Sequence, residues 1–319
     1  MTTPKTNLPA SLDLRSPQPA TTATEERLIS VYLRTLTSPQ TIRTYNTEIR
    51  MFLTFARGLG REIDQITAED ISLYREHLLK TYASATAAKK LAALRRFLIF
   101  TYMGGATRVN PESLRFFAKS PRVRQDPSYN VLTEDELTRM LNAARAASYR
   151  DYVLLAVMAS CGLREAEVVV VKIGDFQEVG DGQILLKILG KGDKIRNVSI
   201  SPELWRLVQR FVIISGRSFT SHTDARKPLF VSREGTDKPL TTRSIRYIVK
   251  KYVNAAGITK AISPHSIRHT VGTNMAVNEA PLLVIQQYLG HSDPKTTLRY
   301  IRRAEELASK AYQYNTLPI

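Results

Sequence analysis

"GQILLKILGKGDKIRNVSI", residues 182–200, is the stretch that departs from a helical rhythm. Two runs of β-favouring aliphatic residues, 184–189 and 195–200, flank the turn Gly190-Lys191-Gly192-Asp193. That arrangement predicts a β-hairpin. The segments around it carry apolar residues at helix spacing. The chain is therefore expected to be mainly α with a small β-sheet, and its 319 residues favour two domains.

Residues 1–24 are polar and rich in Pro and Thr, without an apolar signal region, and are expected to form a disordered tail. Residues 25–119 predict a four-helix bundle. In "SPQTIRTYNTEIRMFLTFARGLG", Ser38 is the expected N-cap and Pro39 the first helical residue. Thr67 opens a third helix with acidic residues behind it, and Ser84 opens a fourth that closes at Gly104-Gly105. The fourth helix carries Lys89, Lys90, Arg95 and Arg96, a candidate phosphate-contacting face. A Pro-rich basic linker is expected over 120–131, and a second domain over 132–319. There, Thr133 and Glu136 form a capping-box pattern, and "DYVLLAVMASCGL" predicts a buried helix ending at Gly162. Further helices are expected over 203–214, 242–256, 266–278, 281–289 and 294–312.

Composition narrows the function. The formal net charge is +17. Residues 1–119 contribute 17 basic against 10 acidic residues and the remainder 29 against 19, so both parts are basic. Binding of a polyanion by both parts follows, with nucleic acid ahead of an acidic membrane. A single cysteine, Cys161, rules out an internal disulfide and a Cys-rich metal cluster, and fits a reducing cytoplasm. No run reaches the ~18 apolar residues of a membrane span.

The chemistry concentrates after residue 160. Arg164 follows a helix-ending glycine in "CGLREAE", and Lys191 sits on the hairpin turn, with Lys194 as its rival. In "SPHSIRHT", His265 and Arg268 share a helix face, with His269 beside them. Of the five histidines, three fall within 265–291, among arginines rather than carboxylates, which favours an anion site over a metal site. Arginine forks, histidines and a lysine describe a cradle for a phosphate whose transition state gains negative charge. Without a metal-activated water or a GxxxxGK[ST] loop, the nucleophile must come from the protein. "LGHSDPKTTLRY", 289–300, offers Tyr300, nine residues after His291. Its competitors are Tyr288, Tyr312 and Tyr314.

Five motifs in order, "CGLREAE", "LGKGDK", "HSIRH", "LGHSD" and "TLRYI", resemble those of the tyrosine recombinases, the integrase family that includes the Xer-type recombinases. The likeness covers about 132–303 by motif, while "TIRTYNTEIRMFLTFA" resembles the family's SAM-like core-binding domain more weakly. The resemblance implies an N-terminal core-binding domain and a C-terminal α+β catalytic domain. It implies that Arg164 and Arg268 clamp the scissile phosphate, and that Lys191 protonates the leaving 5′ hydroxyl. His265 would serve as acid/base, His291 would bond a phosphate oxygen, and Tyr300 would form a 3′-phosphotyrosine. Glu167 matches a carboxylate that orients the site, against the plainer reading of a helix surface charge, and His269 would support it structurally. The implied reaction needs no ATP, metal or other cofactor. The implied partner is a double-stranded DNA recombination site held by a homotetramer, alone or with a sister recombinase, through a Holliday junction. Residues 304–319 would make subunit contacts. The implied setting is the cytoplasmic nucleoid, and the implied task is mobile-element integration and excision or replicon dimer resolution. A type IB topoisomerase and a catalytically silent DNA-binding protein are the alternatives. The tail and N-terminal bundle argue against the first, and the complete Arg/Lys/His/Arg/His/Tyr set against the second.

Overall fold

The computed structural model describes residues 22–121, 130–190, 194–232 and 236–308. The chain divides into two compact units, Met1–Gln125 and Asp126–Ile319.

The first unit contains five helices among its described residues: α1 (Ala23–Arg34), α2 (Pro39–Gly58), α3 (Ala68–Thr81), α4 (Ser84–Met103) and α5 (Pro111–Phe117). Ser38 caps α2, its side chain accepting from the Thr41 N–H, with Pro39 in the first turn. Thr67 and Asp70 form a capping box at α3. A further box, Thr22 with Glu25, starts α1 at Ala23, two residues ahead of the expected start. The core joins Phe52, Tyr74, Leu78, Leu94 and Phe97, each worth about 1.5–3 kcal/mol on burial. The fifth helix, "PESLRFF", was not expected, because its seven residues are too few to express a period.

One expectation fails here. Lys90 is not on a DNA-facing surface: it is 7% exposed, its ammonium donates to Glu48 Oε2 at 2.6 Å, and it lies over the Tyr82 ring. The buried stripe of α4 runs through Ala87, Leu91, Leu94 and Phe97, and position 90 falls on it. Arg95 is half-buried and donates to Ser120 Oγ, whereas Lys89 and Arg96 are exposed.

The second unit is helical around one small sheet. It opens with α6 (Glu134–Ala147), whose N-terminus is the Thr133/Glu136 box, followed by α7 (Tyr149–Cys161) and α8 (Glu165–Val170). The sheet has antiparallel order β1-β2-β3, with β1 (Phe176–Val179), β2 (Gln183–Leu189) and β3 (Ile195–Ile200). Ile184 pairs with Ile200 and Leu189 with Ile195, the register of the predicted hairpin. Lys191 on its turn lies outside the described residues. Strand β1, of four residues, adds an edge that sequence alternation was too short to mark. Then follow α9 (Pro202–Ile214), α10 (His222–Ala225), α11 (Thr242–Ala255), α12 (Pro264–Val277), α13 (Leu282–Leu289) and α14 (Pro294–Ala308). Helix α7 is apolar nearly all round and buries Val153, Leu154, Leu155, Val157 and Met158, so it forms the centre of the unit. Helix α12 packs on α7 and α14. Among the described residues no helix is long and apolar enough to cross a membrane.

Candidate active site

Three helix ends in the second unit place the functional side chains. Gly162 terminates α7 in the left-handed conformation (φ +58°), and a Cβ there would sit 2.6 Å from the Leu289 side chain. The chain therefore turns sharply and delivers Arg164 to the N-cap position of α8. Gly290 ends α13 in the same way (φ +65°) and delivers His291 to the turn before α14. Ser263 caps α12, with Pro264 in its first turn, and so starts the helix that carries His265, Arg268 and His269.

Glu167 is the electrostatic centre. It is 4% exposed, so the surface-charge reading fails. Its Oε1 accepts from Arg164 Nη1 at 2.7 Å and from Arg196 Nη1 at 2.9 Å. Its Oε2 accepts from the Arg164 backbone N–H at 2.8 Å and from Arg196 Nη2 at 2.9 Å. Burial alone would raise its pKa, but the hydrogen bonds and charge of Arg196, then of Arg164, hold it at about 2. It is a carboxylate at every working pH.

Arg164 also donates through Nη2 to the Gly290 carbonyl at 3.2 Å, and its side chain remains 36% exposed. Arg268 is 1% exposed. It donates through Nη1 to the Gly162 carbonyl at 2.7 Å and through Nη2 to the Leu289 carbonyl, and it comes within 3.8 Å of Glu167. Burial, then the neighbouring Arg164 charge, lowers its pKa to about 10, so it stays cationic at neutral pH. Its Nε is buried and has no hydrogen-bond partner.

The histidines surround a tyrosine. Tyr300 on α14 is 0% exposed, and its hydroxyl lies 2.9 Å from His269 Nδ1. Its ring lies against Gly272, where a Cβ would approach to 2.8 Å, and stacks on His291 at 5.8 Å between centroids. His265 meets His269 edge to face at 4.2 Å. His291 Nδ1 lies 2.9 Å from Thr297 Oγ1. Burial, then the charge of His265 and of Arg299 and Arg268, lowers the His269 pKa to about 3. Burial, then Arg268 and Arg164, does the same for His291. His265 is lowered as well, by partial enclosure and by Arg268. All are neutral imidazoles at pH 7. Next to them an open cavity of about 820 Å³ is lined by Arg164, Arg246, Lys250, Lys260, Ser263 and His265.

The structure thus brings together Arg164, Glu167, His265, Arg268, His269, His291 and Tyr300. Tyr288 packs, as expected of a residue before the helix stop, with its hydroxyl donating to the Ser160 carbonyl at 2.8 Å. Lys191, Tyr312 and Tyr314 lie outside the described residues. Among the described residues no cluster of three or more His, Cys, Asp or Glu could hold a metal. The sequence reading missed Arg196. Its signal was present: alternation along β3 puts position 196 on the face of buried Val198, where a charge requires a partner.

The sequence model of the Phage integrase family matches residues 130–306, and that of its N-terminal SAM-like domain matches 29–104. Among curated proteins, a tyrosine recombinase XerC of Pelobacter propionicus is 30% identical over 86% of this chain and 90% of its own length. A tyrosine recombinase XerD of Lacticaseibacillus casei is 32% identical over 77% of this chain and 83% of its own. Among solved structures, the XerH site-specific recombinase bound to a palindromic difH substrate aligns with TM-score 0.62 at 21% identity, over 90% of this chain and 95% of that one, a likeness of fold.

Proposed function

The chain belongs to the phage integrase family and is a tyrosine recombinase, and from that premise we propose how its own residues cut and rejoin DNA. The substrate is a double-stranded recombination site. The Tyr300 hydroxyl attacks the scissile phosphorus, the Tyr Oη–P bond forms, the P–O5′ bond breaks, and the 5′ oxygen leaves as a hydroxyl. The product is a 3′-phosphotyrosine. The reverse attack, by a 5′ hydroxyl from the partner duplex, restores a phosphodiester and frees the tyrosine, so no energy source is consumed. Two such exchanges through a Holliday junction, within a homotetramer, complete recombination.

Each group has a physical reason. Arg164 and Arg268 meet the negative charge that grows on the non-bridging oxygens, where preorganised donors act most strongly. Arg164 is the more exposed of the two, and Arg268 is buried with an unpartnered Nε–H. His291 hydrogen-bonds a phosphate oxygen. The neutral imidazoles of His265 and His269 handle the tyrosine proton, and Lys191 supplies the proton to the leaving oxygen. The +17 net charge supports binding to the DNA backbone. Relaxation of supercoils by a type IB topoisomerase is the weaker reading, since the relatives named above are recombinases.

The observation that best supports this reading is the contact of the Tyr300 hydroxyl with His269, inside a cluster that also holds Arg268 and His291. Because Tyr300 is wholly buried, attack requires the start of α14 to shift when DNA binds. Covalent trapping tests the reading. Nicked duplexes drawn from DNA flanking the gene are incubated with wild type and Tyr300→Phe and resolved on a denaturing gel. A DNA-linked band in wild type alone is expected. A band that survives the substitution would overturn the assignment and point to another tyrosine.

A further inference from the structure

Three consecutive carbonyls at the end of α13 accept hydrogen bonds from three different arginines. Arg196 Nε donates to Tyr288 O at 3.0 Å, Arg268 Nη2 to Leu289 O, and Arg164 Nη2 to Gly290 O at 3.2 Å. The last carbonyls of a helix lack partners within it and carry its negative dipole end, so cations are at home there. The same three arginines surround the Glu167 carboxylate. Two of them are accounted for by the phosphate clamp. The third is not.

We infer that Arg196 is the positioning residue of the clamp, an inference that rests on the clamp reading given above. Arg196 comes from the strand after the hairpin turn, and its side chain is 11% exposed, so it reaches the site from inside the fold. Its Nη atoms take both oxygens of Glu167 at 2.9 Å, while its Nε takes the Tyr288 carbonyl. Only a planar fork with donors on two edges satisfies a carboxylate and a carbonyl at once, so lysine is no substitute. Arg164 has two side-chain anchors, Glu167 Oε1 and the Gly290 carbonyl. Arg196 holds the first directly. It also lies against the second: a Cβ on Gly290 would meet Arg196 Cδ at 2.8 Å. Gly290 is therefore doubly required, for its left-handed φ and for room beside this arginine. Removing Arg196 loosens both anchors, and with them the turn that carries His291.

The test exploits what the clamp does. The arginines offset charge on the non-bridging oxygens of the scissile phosphate. A methylphosphonate at that position replaces one charged oxygen with a methyl group, so the placement of the clamp matters less. The trapping duplex is made with each linkage, and single-turnover adduct formation is measured for wild type, Arg164→Ala, Arg196→Gln and Arg196→Lys. The lysine variant keeps the charge and provides a milder protein if the glutamine variant folds poorly. Both Arg196 variants are expected to bind the duplex within about three-fold of wild type and to form adduct roughly 100-fold more slowly on the phosphodiester, the scale of a small misplacement at the reacting centre. On the methylphosphonate that deficit is expected to shrink to about 10-fold or less. A rate near wild type on the phosphodiester, or the same deficit on both linkages, would overturn the inference. Arg164→Ala separates the two failures. If Arg164→Ala is slow while the Arg196 variants are not, only the positioning role falls. If Arg164→Ala keeps the full rate, the clamp reading falls and takes this inference with it.

Discussion

The Tyr300 hydroxyl sits 2.9 Å from His269 Nδ1 while the Tyr300 ring fills a slot floored by Gly272. Nucleophile chemistry and core packing are therefore carried by different atoms of one side chain. Tyr300→Phe keeps the ring and loses only the hydroxyl. Its stability is expected to stay within about 1.5 kcal/mol of wild type, the net worth of one hydrogen bond. Covalent adduct is expected to vanish entirely. Thermal melting and the denaturing gel, run on the same preparation, check both halves.

Gly272→Ala sets two effects against each other. Alanine gains about 1 kcal/mol over glycine in a helix interior. The added methyl would lie 2.8 Å from the Tyr300 ring, and overpacking of this kind costs about 1–3 kcal/mol. The neighbour is a ring wedged at 0% exposure rather than a flexible tip, so the clash prevails. The variant is expected to melt lower and to form adduct more slowly, because the ring must leave its contact with His291. A melting temperature above wild type would mean that α14 yields easily.

Glu167→Gln keeps the shape and removes the charge that balances the arginines around it. Breaking a buried pair by removing one partner costs about 3–5 kcal/mol. That is the expected loss in a denaturant titration, together with a large fall in adduct formation. A loss below about 1 kcal/mol would show that water reaches the cluster and replaces the carboxylate.

Much of this was legible because local chemistry is decisive. Ser38 with Pro39, and Thr133 with Glu136, mark helix starts by satisfying orphan N–H groups, and both starts are found where the residues imply. The 184–189 and 195–200 runs pair as read. The motifs around Arg164, His265, His291 and Tyr300 are held together by glycines at helix ends, Gly162 and Gly290, that were readable as stops. What escaped was short or tertiary. Helices α5 and α8 and strand β1, of seven, six and four residues, are too brief for a period to rise above chance. Lys90 looked like surface because lysine usually is, although its spacing from Ala87 and Leu94 put it on the buried stripe. Alternation along β3 placed Arg196 on the buried Val198 face, but which partners it takes there, Glu167 and the Tyr288 carbonyl, is set by tertiary packing.

Acid should weaken the second unit, and the sign follows from three depressed pKa values. His269 and His291 fall from 6.5 to about 3, and Glu167 from 4.5 to about 2. Between about 3 and 6.5 the unfolded chain binds protons that the folded chain refuses, so this stability is full above pH 6.5 and is lost as pH falls. Glu167 adds the same trend below 4.5. Two groups shifted this far are worth about 4 kcal/mol between pH 7 and pH 5, so the melting temperature is expected to be lower at pH 5 by about 8–15 °C at most. His269→Gln with His291→Gln should flatten that slope, whereas Glu167→Gln should leave it intact. A flat wild-type profile would place the histidines in contact with solvent.

The two adjacent lysines of α4 should separate stability from DNA binding. Lys90 is held by Glu48 at 2.6 Å and lies over the Tyr82 ring, and the Glu48 side chain is itself only 15% exposed. Lys90→Ala removes one partner of an enclosed pair and is expected to cost about 2–4 kcal/mol. The salt dependence of its DNA binding should not change, since its charge is already neutralised inside the bundle. Lys89 and Arg96 are exposed on the same helix. Their joint replacement by alanine should alter stability by about 0.5 kcal/mol at most. If they meet phosphates, it should make the slope of log K against log salt shallower by about 1–2. A salt titration of duplex binding by fluorescence anisotropy, alongside melting curves, reads both quantities. An unchanged slope in the double variant would move the DNA-facing surface of this unit to another helix. A changed slope in Lys90→Ala, without loss of stability, would mean that the Glu48 pair opens when DNA arrives.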